Sequence, residues 1–108
     1  MSSKIVDGID PASTMSRVQI EQLTGYWVDR EYPHNFYDYR GRRIRERKGP
    51  EGRIYVDCIH MKGWVHMKDL LLANEFIPKP HDYCMHVEHI NGDLSDNHLS
   101  NLRWCTFT

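Results

Sequence analysis

The sequence predicts an α+β fold, a small antiparallel sheet with short helices. Three observations lead there. Glycine and proline punctuate the middle of the chain at Gly41, Gly49-Pro50, Gly52 and Lys62-Gly63, leaving runs of a few β-type residues between turns. One run alternates, with Ile54, Val56 and Cys58 against Arg53, Tyr55 and Asp57, which is the period of a half-buried strand. Lys68 to Phe76 (KDLLLANEF) instead carries Leu71, Leu72, Glu75 and Phe76 at helical spacing, and Pro78 and Pro80 end it. With 108 residues the chain has room for one domain and one modest core.

Residues 1–14 (MSSKIVDGIDPAST) are small and polar and read as a flexible N-terminal arm. Ser16 and Gln19 stand at capping-box spacing, and Val18, Ile20 and Leu23 predict a short helix ended by Gly25. From Tyr26 to Tyr39 aromatic residues are dense but Pro33 and Asn35 break the pattern, so an irregular segment packing its rings is expected. Strands are expected over 43–47, 53–60 and 64–67, then the helix over 68–76. After residue 81, Cys84 to Ile90 reads as a strand and Asn91-Gly92-Asp93 as a tight turn. Leu94 to Ser100 reads as a polar loop or helical turn, and Leu102 to Cys105 as a second strand. The organisation is thus an arm (1–14), a module with a basic sheet (15–80) and a closing unit (81–108), in one compact domain.

Net charge is −1 at pH 7, which taken alone argues against a nucleic-acid protein. The average conceals its parts. Residues 40–68 hold nine Lys and Arg against three acidic residues, whereas residues 82–96 hold four acidic residues and no Lys or Arg. A basic face tracks phosphates. An acidic, histidine-rich loop beside it suits metal-assisted phosphodiester chemistry. A run of arginines alone reads equally as a solvated turn; the pairing of the two features favours nucleic acid. The candidate DNA contacts are Arg40, Arg42, Arg43, Arg45, Arg47, Lys48 and Arg53. No apolar run approaches the ~20 residues of a membrane span, and MSSKIVDGID has no apolar signal core, so a cytoplasmic protein without membrane contact is expected. Cys58, Cys84 and Cys105 form no C-x-x-C pair, which argues against a cysteine zinc site and for reduced thiols.

The chemistry is concentrated in Val87-Glu88-His89-Ile90-Asn91-Gly92-Asp93 and Asp96-Asn97-His98-Leu99-Ser100-Asn101-Leu102-Arg103-Trp104-Cys105-Thr106. This stretch resembles the HNH motif of bacteriophage and group I intron homing endonucleases, commonly written DHINGxxxxNxxxNLRWCT. His-Ile-Asn-Gly, the spaced Asn-Leu and Arg-Trp-Cys-Thr fall in register together. The resemblance extends upstream. Gly25-Tyr26 to Arg45 is similar to the nuclease-associated module that precedes such motifs, and His66 to Pro78 to its HRLVAxAFIP segment.

The resemblance implies a metal-dependent DNA endonuclease, nicking or cutting both strands by phosphodiester hydrolysis. It implies His89 as general base, a role that suits an imidazole. It implies Glu88 and His89 at a divalent metal, Mg²⁺ or Mn²⁺, with Glu88 standing where the family usually has Asp or His. Strand neighbours point to opposite faces, so these two share a site only if the strand ends there, and the Asn91-Gly92 turn is expected to provide that ending. Asn101 matches the motif's middle Asn, which orients the loop carrying the base; Leu102 and Trp104 are expected in the core. His86 reads as a strand residue or an auxiliary ligand, Asp96 and His98 as solvated loop residues, and Asn97 matches a common family Asn without an assigned role. The family's last ligand, a His or Asn on the following helix, would fall at about position 110, beyond Thr108, so a truncated ββα-metal unit is expected. That departure keeps a second reading open: a catalytically inactive relative, phage-encoded, that binds DNA or a host protein. A second copy of the chain could also be its partner.

Overall fold

The computed structural model describes residues 17–21, 23–58 and 64–105. The expected arm over 1–14 lies outside them. Short runs between turns leave each strand only its chain neighbour to pair with, and three small antiparallel sheets result. The first is β1 (Arg17–Gln19), β2 (Trp27–Asp29) and β3 (Phe36–Tyr37), in that order. Val18 pairs with Val28, and Val28 with Phe36.

Residues 17–19 are therefore a strand and not the expected helix. Val18 and Ile20 are β-branched and two apart, a spacing that serves a strand as well as a helix start, and a segment this short cannot offset helix nucleation. Cross-strand burial against Val28, which is fully buried, decides the outcome. The aromatic segment after it is likewise more regular than expected, since it supplies β2 and β3.

The second sheet is a meander of β4 (Glu46–Lys48), β5 (Ile54–Cys58) and β6 (Trp64–Met67). Glu46 pairs with Val56, and Val56 with His66. The β4–β5 turn closes with the Gly49 amide donating to the Arg53 carbonyl at 2.8 Å. The expected strand over 53–60 is described only as far as Cys58. Helix α1 (Lys68–Phe76) follows β6 without a loop, with the expected bounds. Its Leu71, Leu72 and Ala73 are buried, and it packs against β5, β6 and the third sheet.

That third sheet is a hairpin of β7 (His86–His89) and β8 (Leu102–Cys105), with a 3₁₀ turn at Leu99–Asn101 between them. Val87 pairs with Trp104, and His89 with Leu102. Trp104 is 7 % exposed and anchors the hairpin to α1, its indole Nε1 donating to the Ile77 carbonyl at 2.8 Å. Gly92, at φ +81°, takes the left-handed conformation that turns the chain straight after β7, and its amide donates to the His89 carbonyl at 2.9 Å. Position 89 thus sits where a core strand meets a turn.

Candidate active site

Strand alternation decides what His89 can share a site with. Along β7, His86 and Glu88 are exposed while Val87 and His89 are buried. Pairing continues past His89, because the Ile90 amide donates to the Asn101 carbonyl at 2.8 Å. Glu88 therefore lies on the outer face of the hairpin. Its Oε1 accepts from Arg103 Nη2 at 3.0 Å and from Nε at 3.2 Å, a pair open to solvent on both sides. The two residues expected at one metal are not brought together. Among the described residues no group of three His, Cys, Asp or Glu side chains is gathered to hold an ion.

On the inner face His89 is 5 % exposed. Its Nε2 lies 2.9 Å from Asn97 Oδ1, and its Nδ1, which has no hydrogen-bond partner among the described residues, lies 3.8 Å from Asp69 Oδ2. Asp69 sits in the first turn of α1 and is 1 % exposed. Burial of a lone carboxylate costs several kcal/mol. Two groups offset it. Arg53, at the entrance to β5, forms an ion pair and hydrogen bond from Nη1 to Asp69 Oδ2. The Leu70 amide donates to Oδ1 at 2.7 Å, at the helix end that favours negative charge. Arg53, Asp69, His89 and Asn97 thus follow one another through the interface between the second sheet, α1 and the hairpin.

A second cluster fixes the loop that carries Asn97. Asn101 Nδ2 donates to Asn91 Oδ1 at 3.0 Å and to the Asp96 carbonyl at 2.9 Å, and its Oδ1 accepts from the Asn91 amide at 3.0 Å. Asn91 Nδ2 donates to Asp96 Oδ2 at 2.9 Å. Asp96 Oδ1 also lies 2.6 Å from His98 Nδ1, and this hydrogen bond, with one from the His98 amide, holds the Asp96 carboxyl below its ordinary pKa. His98 in turn stacks on Tyr32, centroids 3.5 Å apart and planes 10° from parallel. Tyr32 belongs to the loop that presents His34, whose buried ring is pushed below the ordinary imidazole pKa by desolvation. Asn101 thus ties the Asn91 turn to the Asp96 segment through three side-chain hydrogen bonds.

The basic residues divide. Arg40, Arg42, Arg43, Arg45, Arg47 and Lys48 are exposed. Arg43, Arg45 and Arg47 alternate with buried Ile44 and half-buried Glu46, which leaves all three on one exposed edge. The amides of Arg40 and Arg42 both donate to Asp38 Oδ1 at 2.9 Å, which fixes the turn before this edge. Arg47 also reaches Asp57 at 3.0 Å, with its side chain 59 % exposed. Arg53 differs from the rest: its guanidinium is turned inward to Asp69.

Two residues of the site were not singled out by the sequence for what they do here. Asn97 covers one nitrogen of His89 and Asp69 faces the other. The available signal for Asp69 was a charged pair, Lys68-Asp69, standing directly before an apolar run, Leu70 to Ala73; both are buried, Lys68 against Glu46 at 2.7 Å. Among the described residues no helix is long and apolar enough to cross a membrane. No known protein family, curated protein or solved structure matches the chain.

Proposed function

We propose that the protein is an HNH-type DNA endonuclease, hydrolysing phosphodiesters with His89 as general base and binding DNA along the edge formed by Arg43, Arg45 and Arg47. The observation that carries the reading is convergence. His89, Asn97 and Asn101 of the motif meet around one turn, with the histidine at a strand end and the asparagine pair Asn91–Asn101 closing the loop above it. In this role Nε2 of His89 takes a proton from the attacking water. Nε2 is the nitrogen that Asn97 covers, so engagement of substrate displaces the Asn97 carboxamide. Guanidinium groups of the basic edge hold the flanking phosphates and offset their charge.

Mg²⁺ or Mn²⁺ belongs to this reading through the resemblance. Glu88 and His89 on opposite faces of β7 do not fit as two ligands of one ion, so the roles assigned above rest on the chain's own groups. The same geometry favours a second reading, DNA binding without cleavage. Glu88 is occupied by Arg103 and His89 is buried. Supercoiled plasmid incubated with Mg²⁺ or Mn²⁺ separates the two. The endonuclease reading expects open-circular or linear product from the wild type and none from His89→Ala. Retention of plasmid in a gel shift without any product supports binding alone.

A further inference from the structure

We propose that Asp69, held by Arg53, is a positioning residue for His89: it takes the ring's Nδ1–H and leaves Nε2 as the working nitrogen. The inference rests on the reading of His89 as a base. Nδ1 is buried and has no hydrogen-bond partner among the described residues, and the atom facing it is Asp69 Oδ2 at 3.8 Å. Both side chains are 1 % exposed, so no bulk water intervenes to serve Nδ1 instead. A ring with a bare Nδ1 would turn a lone pair toward a carboxylate; a ring with Nδ1–H turns a donor toward it. The opposite nitrogen has a partner of the other kind. A carboxamide such as Asn97 presents an oxygen to an N–H or, after a half-turn, its NH₂ to a lone pair. Asp69 therefore fixes which nitrogen carries the permanent proton, and Asn97 does not. A separation of 3.8 Å is long for a hydrogen bond, and catalytic contacts of this kind shorten when substrate closes the site.

Arg53 completes the arrangement. With Oδ1 engaged by the Leu70 amide, Oδ2 is the oxygen that Arg53 and His89 share. The guanidinium offsets the charge of the buried Asp69 side chain and fixes its direction. Arg53 arrives from the β4–β5 turn, on the sheet that carries the basic edge. The sheet expected to bind phosphate and the histidine expected to act on it are mechanically joined through this pair.

The test uses the uniformly ¹⁵N-labelled full chain, without DNA or metal. A two-bond ¹⁵N–¹H correlation spectrum reads which ring nitrogens of His89 carry protons, with His89→Gln giving the assignment. A protonated Nδ1 is expected; a wild-type spectrum with Nε2–H and a bare Nδ1 overturns the proposal. Asp69→Asn, checked for an intact backbone amide spectrum, should shift His89 toward a mixture of tautomers and lower nicking ~10–100-fold, the range for removing an outer partner of a site histidine. Arg53→Lys, which keeps the charge, should retain the wild-type ring pattern. An unchanged ring pattern in Asp69→Asn means that the Arg53–Asp69 pair serves the fold alone, which also overturns the proposal. Wild-type protein that shows Nδ1–H yet never nicks DNA refutes the nuclease reading and leaves the assignment of Asp69 standing.

Discussion

Asn101→Ala should destabilise the protein by roughly 3 kcal/mol. The side chain makes three hydrogen bonds, two donated to Asn91 Oδ1 and the Asp96 carbonyl and one accepted from the Asn91 amide. Each contributes about 0.5–1.5 kcal/mol net. Asn101 is 8 % exposed, so solvent replaces these bonds poorly. For a domain of this size ~1 kcal/mol corresponds to about 4–8 °C in Tm, which places the expected fall near 12–24 °C. Urea unfolding followed by circular dichroism gives the free energy. Amide hydrogen exchange supplies the local signature, because the Asn91 amide loses its acceptor and should exchange faster than the global loss explains. A destabilisation under about 0.5 kcal/mol, with Asn91 exchange unchanged, would refute the assignment of Asn101 as the brace of the loop.

Three further outcomes follow from the same geometry. Glu88→Ala should leave stability within about 0.5 kcal/mol, because its pair with Arg103 is solvent-exposed on both sides, and should leave nicking at the wild-type level, because Glu88 lies on the face of β7 opposite His89; loss of nicking in the variant would return Glu88 to the chemistry. Burial lowers the His34 pKa in the folded chain, so the unfolded chain binds more protons as pH falls. Stability from this residue is present above the unfolded value of 6.5 and is lost as pH drops through it toward the folded value. His34→Asn, which tolerates the backbone φ of +60°, should show a smaller fall in urea midpoint between pH 7 and pH 5 than the wild type, and an equal fall would count against the burial argument. Joint neutralisation of Arg43, Arg45 and Arg47 to Gln should reduce the slope of log K against log salt by up to about 0.9 per lost phosphate contact, whereas an unchanged slope places the DNA elsewhere.

The parts legible in the sequence are those fixed by local chemistry. Lys68 to Phe76 is a helix because Leu71, Leu72, Glu75 and Phe76 stand at helical spacing and Pro78 stops it; those same residues lie in α1. The hairpin was legible because Gly92 supplies a positive φ between two runs that each alternate in burial. Residues 17–19 were not, since Val18 and Ile20 fit either period and only the partner Val28 decides. The site divides the same way. Asn101 could be placed from the motif spacing, as its bonds reach residues ten or fewer positions away. Asp69 could not, because it meets His89 twenty positions later in the chain through packing of α1 on the hairpin. Glu88 and His89 part company for a reason the alternation rule already contained: β-pairing runs on to Ile90, so the strand does not end where a shared ligand set requires. Arg53 reads as one more cation in a basic run and is turned inward by a carboxylate sixteen residues away.

In the proposed function His89 performs chemistry on DNA held by a separate basic edge. DNA binding and plasmid nicking, measured on the same preparations of wild type and His89→Ala with Mg²⁺ or Mn²⁺ present, test this division directly. Binding by the variant should lie within about twofold of wild type and nicking should be lower by ~10²–10⁴, the contribution of a positioned general base. Nicking by His89→Ala at the wild-type rate, or wild-type protein that binds but never nicks, would contradict this role.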